Sequence, residues 1–232
     1  MKEHSSRSRN QAFTLIEMLV VVSVIGLLLA LSAPRVFSLL RSNELSTQGD
    51  SLRNWLSMAQ QQAISSNAPV EVRFYKFADQ NEGQTEPDFQ AAQYYQYDRS
   101  GELKPASQIF LVRPPVILSK DPKLSNILDK GQNVNFGILS SSDANYKALF
   151  GNRVLSGLAE YSSFRFRPDG STDLDTRSSS DPDKQAYTWY LTLVQQGKPG
   201  SSGGSTGGDE LPRNFICFQI DQFNGTIREY RP

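Results

Sequence analysis

Hydrophobic and polar positions alternate with a different period in each of three successive stretches of the chain. From Phe13 to Ala33 nearly every position is apolar and Glu17 is the only charge. A helix over this run would rise roughly 30 Å, the thickness of a bilayer core, so the pattern predicts a membrane-spanning segment that closes at Pro34. Beyond it Val36, Phe37, Leu40, Leu45, Leu52, Trp55, Leu56, Ala59 and Ala63 recur mostly every three or four positions with polar residues between them. That spacing predicts an amphipathic helix that continues to about Ser66, weakened at Gly49 and stopped by Pro69.

After Pro69 the period becomes two. Val70-Glu71-Val72-Arg73-Phe74 and Ser163-Phe164-Arg165-Phe166-Arg167 alternate as half-buried strands, and Tyr187 to Val194 is rich in β-formers. Tyr94 to Asp98 reads as a strand turning at Gly101, with 79–88 as a loop before it. Ile109 to Val112 and Val116 to Leu118 flank Pro114-Pro115, which predicts edge strands or extended loop. Pro168-Asp169-Gly170 is a turn, and Asn224-Gly225 between Phe215 to Asp221 and Thr226 to Tyr230 predicts a tight hairpin. Lys198 to Gly208 is a low-complexity Gly/Ser loop, and Lys120 to Ala159 carries mixed signals that assign no element.

Composition narrows the chemistry. The 232 residues balance 24 basic against 24 acidic side chains, so no nucleic-acid partner is expected. Cys217 is the one cysteine, which excludes an internal disulfide and suits a small buried hydrophobe. The one histidine, His4, precedes the apolar run, so a chain beginning at Phe13 would lack His-dependent triads and His-containing zinc sites. Lys2, Arg7 and Arg9 against Glu3 place the first dozen residues inside by the positive-inside rule and the remainder outside. Glu17 is the anomaly, because a carboxylate in an apolar run marks a function and a partner.

Ala12-Phe13-Thr14-Leu15-Ile16-Glu17 resembles the processing site of type IV prepilins and type II secretion pseudopilins. The resemblance implies cleavage between Ala12 and Phe13 by a prepilin peptidase and N-methylation of Phe13. The family usually has Gly where this chain has Ala12. Pro34 falls where many pilins have a helix-kinking proline, and by the same resemblance Glu17 pairs with an N-terminal amine during assembly. The ending Phe166-Arg167-Pro168-Asp169-Gly170-Ser171, Ile216 to Ile220 and Asn224-Gly225-Thr226-Ile227-Arg228 is similar to minor pseudopilins of the H type. Asn67 to Phe77 and Tyr94 to Asp98 resemble, more narrowly, the cassette protein D family of predicted verrucomicrobial pseudopilins.

Two further constellations have plainer readings beside functional ones. Asp169, Asp173 and Asp175 are weak candidates to ligate Ca²⁺, but their spacing lacks the closing Glu of an EF-hand, and a solvated turn is the reading preferred for them. Tyr94, Tyr95 and Tyr97 could form a stacking platform, or the core and rim of a strand.

The chain is therefore expected to be α+β and pilin-like, a long N-terminal helix with a membrane-spanning first half and a second half packed on an antiparallel β-sheet. The expected organisation is a basic leader at 1–12, a transmembrane or filament-core helix at 13–34, an amphipathic helix at 35–66 and a β-rich domain at 67–232. The expected function is a non-enzymatic subunit without cofactor, inserted in the inner membrane and assembled through its helix into a pseudopilus or pilus-like filament. Its expected partners are prepilin peptidase, other pilin or pseudopilin subunits and the inner membrane. The alternative is a membrane-anchored monomeric binding module whose β-domain captures a ligand or secreted substrate.

Overall fold

The computed structural model describes residues 14–79, 81, 83, 86–98, 100–130, 135–139, 146–151, 153, 155, 158–174, 188–195, 212 and 214–232, with the backbone alone for 31–42 and 148. The chain divides into two compact units, Met1–Arg41 and Ser42–Pro232. Helix α1, Leu15–Ser66, belongs to both. In the first unit its described side chains are exposed around the whole helix, and apart from Glu17 and Ser23 those from Leu15 to Leu29 are apolar or glycine.

The expected membrane-spanning first half is corrected here. Among the described residues no helix is long and apolar enough to cross a membrane. From Asn43 onward α1 carries Glu44, Asp50 and Arg53. The expectations that depended on a span fall with it: insertion in the inner membrane, single-pass topology and a periplasmic domain.

In the second unit the described residues form ten strands and a short helix. The elements are β1 (Val70–Phe77), β2 (Asp88–Tyr97), β3 (Leu103–Pro105), β4 (Phe110–Leu111), β5 (Val116–Leu118), β6 (Asn135–Leu139), α2 (Tyr146–Phe150), β7 (Ala159–Phe166), β8 (Trp189–Gln195), β9 (Phe215–Ile220) and β10 (Ile227–Tyr230), with a 3-10 turn at Asn126–Leu128. The sheet is antiparallel and open, in the order β10-β9-β8-β5-β2-β1-β7-β6, and β3 and β4 also pair with β2.

One face of this sheet packs on the Ser42–Ser66 part of α1. Leu45, Leu52, Leu56, Ala59 and Ala63 meet Val70, Val72, Phe74, Phe164, Phe166, Leu191, Leu193, Ile216, Phe218 and Ile220 in the main core. Val70 to Phe74 is not the half-buried strand that its alternation predicts. Its other face, Tyr75 and Phe77 with Ala91 and Tyr95, is covered by Leu149 and Phe150 of α2 in a second cluster. The Lys120 to Ala159 region that carried no clear periodicity supplies this cover through short elements whose residues find their partners far along the chain.

Other expectations also change. Strand β2 begins at Asp88, because Phe89 and Ala91 are buried on opposite faces and leave no alternation to read. Strand β5 lies inside the sheet between β8 and β2 rather than at an edge. Pro114 and Pro115 precede it in a turn closed by Val116 N–H to Arg113 O, so neither removes a donor from the ladder.

Gly49 also serves packing. A Cβ there would lie 2.5 Å from Ile216 Cδ1, so the helix gives up propensity to let β9 approach. The connection from β9 to β10 is longer than an Asn-Gly hairpin. Ile220 pairs with Ile227, and Asp221 organises the turn by accepting the Phe223 and Asn224 N–H groups. Cys217 is half-buried rather than enclosed, and burial pushes its thiol up from the ordinary range. The Gly/Ser stretch 198–208 lies outside the described residues.

Candidate functional site

The only charge of the apolar run is built into the helix start. Thr14 precedes α1, and its Oγ1 accepts the Glu17 N–H at 3.3 Å. Glu17 Oε2 in turn accepts from Thr14 N–H and Thr14 Oγ1–H, both at 3.4 Å. Thr-x-x-Glu is a capping box, in which two otherwise orphaned donors of a helix N-terminus are satisfied reciprocally. A carboxylate in the first turn also meets the positive end of the helix dipole. The Thr-x-x-Glu spacing is itself a signal in the sequence, overshadowed there by the apolar run in which Glu17 stands out as a lone charge.

This geometry puts Glu17, exposed, one turn into α1 among exposed Leu15, Ile16, Met18 and Leu19. Ala12 and Phe13 lie outside the described residues, and so does the side chain of Pro34, whose backbone falls within α1. Among the described residues the Glu17 carboxylate is engaged by the two long hydrogen bonds from Thr14.

The aspartates considered for Ca²⁺ serve the turn after β7. Arg167 N–H donates to Ser171 O at 2.8 Å and Gly170 N–H to Arg167 O at 2.9 Å, with Pro168 at the second position and Gly170 at φ 85°. Asp169 Oδ1 accepts from Ser171 N–H at 2.9 Å and from Ser171 Oγ–H at 2.6 Å, which holds its carboxyl below the usual range. Asp173 Oδ1 accepts the Arg165 N–H at 2.6 Å, and burial pushes that carboxyl up. Asp175 lies outside the described residues. Among the described residues no group of three or more His, Cys, Asp or Glu is placed to hold a metal ion.

The tyrosines divide between the faces of β2. Tyr94 faces α1 with its ring 5.3 Å from Trp55, whereas Tyr95 is buried on the other face, its hydroxyl 2.7 Å from that of Tyr75. Tyr97 is half-buried under Arg165. They therefore form core and rim.

The sequence profile of the prokaryotic N-terminal methylation motif matches residues 7–33, the stretch that contains the capping box. No characterised protein matches the chain by sequence. Among solved structures, the minor pseudopilin EpsH from the type 2 secretion system of Vibrio cholerae aligns with 82% of this chain and 98% of its own, at 10% identity and a TM-score of 0.38. The type IV minor pilin FimU of Pseudomonas aeruginosa aligns with 82% of this chain and 93% of its own, at 12% identity and a TM-score of 0.38. Likeness at that level decides nothing about activity or partners.

Proposed function

We propose that the chain is a structural, non-catalytic subunit of the pilin class, matured by cleavage between Ala12 and Phe13 and methylation of the new Phe13 amine. The observation that carries this reading is the methylation motif at residues 7–33, with Glu17 capping the helix that begins directly behind the cleavage position. Prepilin peptidase is the implied processing enzyme, and related secretion or pilus components are the implied partners. The physical drive for association is burial. Leu15, Ile16, Leu19, Val22, Leu27 and Leu29 are all exposed on every side of the helix, a surface that is covered favourably by like helices.

Within such an assembly Glu17 pairs with a Phe13 amine, because an unpaired charge among apolar helices costs several kcal/mol. Pro34 is assigned with it to the assembly segment. The minor, H-type position within the class rests on the strand-turn-hairpin ending. Gln60 Nε2 donates to Gly170 O at 3.0 Å and to Asn224 O at 2.8 Å, so α1 holds the two glycine turns of that ending side by side.

Intact-mass measurement of protein from cells with an active prepilin peptidase tests the reading. The expected result is loss of residues 1–12 and one added methyl on Phe13; an intact Met1 terminus overturns it. The role of Glu17 is tested by cross-linking to partner subunits. Glu17→Gln keeps an acceptor for the cap but removes the charge, and Glu17→Val removes both. Exclusion of both variants from cross-linked complexes is expected. Normal incorporation of Glu17→Gln would show that the cap, and not the charge, is what matters.

A further inference from the structure

On the face of the sheet away from α1, strand β7 and its turn carry two arginines at alternate positions, Arg165 and Arg167. They border an open pocket of about 520 Å³ whose other walls are Pro69, Pro168, Asp169 and Asp173. Arg165 is held in place from two sides. Its Nε donates to Glu71 Oε2 at 3.2 Å, and its guanidinium carbon lies 5.7 Å from the Tyr97 ring centroid.

Glu71 is itself fixed. Its side chain is only 5% exposed, and its other oxygen accepts from Arg73 Nε at 2.7 Å. Arg73 in turn lies between the Tyr95 and Tyr161 rings, at 4.6 and 4.5 Å. Arg165 is thus oriented by buried neighbours, yet its side chain is 41% exposed and only its Nε is engaged among the described residues. The guanidinium of Arg167 has no ion-pair or hydrogen-bond partner among the described residues, and it too lines the pocket.

Each acidic group of the pocket has one oxygen engaged, and both aspartates are attracted by the Arg167 charge without pairing with it directly. Asp169 Oδ1 is held by Ser171, and Asp173 Oδ1 by the Arg165 N–H. The pocket is thus bordered by guanidinium donors without a hydrogen-bond partner among the described residues, the side-chain type that recognises a carboxylate by two parallel hydrogen bonds. Preorganisation matters here because the entropy of ordering the Arg165 side chain is met in the folded domain rather than on binding. Asp169 and Asp173 line the same pocket and balance the two arginine charges, which disfavours a dianion such as phosphate and favours a single carboxylate.

We propose that this pocket is a docking site for an acidic side chain of a partner polypeptide, gripped between the Arg165 and Arg167 guanidinium groups with Pro69 and Pro168 as rigid walls. The site is separate from the N-terminal motif and does not depend on its processing.

A labelled tetraglutamate peptide titrated against the full chain in nonionic detergent, read by fluorescence anisotropy, tests the proposal. Tetraglutamate is expected to bind, and a tetraglutamine peptide to bind at least tenfold more weakly. Arg167→Gln, which breaks no side-chain hydrogen bond or ion pair among the described residues, should weaken tetraglutamate binding at least tenfold with little change in melting temperature. Arg165→Lys, which keeps the charge but loses the fork, should weaken it several-fold. Free acetate should displace the peptide at lower concentration than phosphate does. Equal binding of the two peptides, indifference to Arg167→Gln, or stronger displacement by phosphate would each overturn the proposal.

Discussion

The apolar residues of α1 before residue 31 and the apolar stripe that packs after residue 42 share one helical backbone and have opposite surroundings. Leu19, Leu27 and Leu28 stand exposed, whereas Leu45, Leu52 and Leu56 are buried. The difference lies in what separates the apolar positions. Between Leu45 and Ala63 polar residues alternate with helical period, so one stripe buries itself on the sheet and the other faces water. Between Leu15 and Leu29 there is no polar stripe, so no single sheet face could satisfy the helix. A segment of that kind needs company on all sides, which the proposed assembly supplies. One helix thus serves folding at one end and association at the other.

Substitutions in each part should therefore have unlike effects on unfolding of the full chain, followed by urea denaturation. Leu56→Ala is expected to have the largest effect, about 2–5 kcal/mol, because the side chain is fully enclosed and its removal leaves a cavity. A cost under about 1 kcal/mol would mean the helix is not anchored through this stripe.

Gly225→Ala should cost roughly 3 kcal/mol. The residue has φ 65°, and an added Cβ would lie 2.2 Å from Gly170 O, a backbone atom that cannot swing away. Gly137→Ala should cost about 1–3 kcal/mol, since the new Cβ would fall 2.2 Å from Cζ of the Tyr161 ring that lies across β6. Little change there would show that Tyr161 can move without loosening Arg73. Leu19→Ala should change unfolding by less than about 0.5 kcal/mol, because its side chain is exposed. A large loss would erase the contrast between the two parts of the helix.

The smallest effect is expected from Asp173. Its folded carboxyl titrates above the ordinary Asp value of 3.8, chiefly through burial, so the native state holds its proton to higher pH than the unfolded chain does. Stability from this group is present below the unfolded value and declines as pH rises through the folded one. Asp173→Asn keeps an acceptor for the Arg165 N–H and should flatten that decline. An unchanged pH profile would place the titration elsewhere.

The sequence by itself determined the local elements whose causes are local. The apolar run with Glu17 marked the methylation motif, the three-to-four spacing through Ala63 marked the face of α1 that packs, and Pro168-Asp169-Gly170 marked its turn. Asn67, at φ 50°, and Pro69 ended α1 near the predicted place. The Thr14–Glu17 cap was equally local and could have been read from its spacing.

Tertiary structure alone decided the rest, because its causes lie far apart in the chain. Gly49 reads as a weak point until Ile216 is seen against it, and the second face of β1 reads as solvent-exposed until α2 covers it. β5 reads as an edge until β8 and β2 flank it. The role of Glu71 could not be read from alternation, since a polar residue facing water and one clamped between two arginines leave the same pattern. Only the pairing of β1 with β7 sets Glu71 opposite Arg165 and turns an ordinary half-polar strand into a preorganised charged surface.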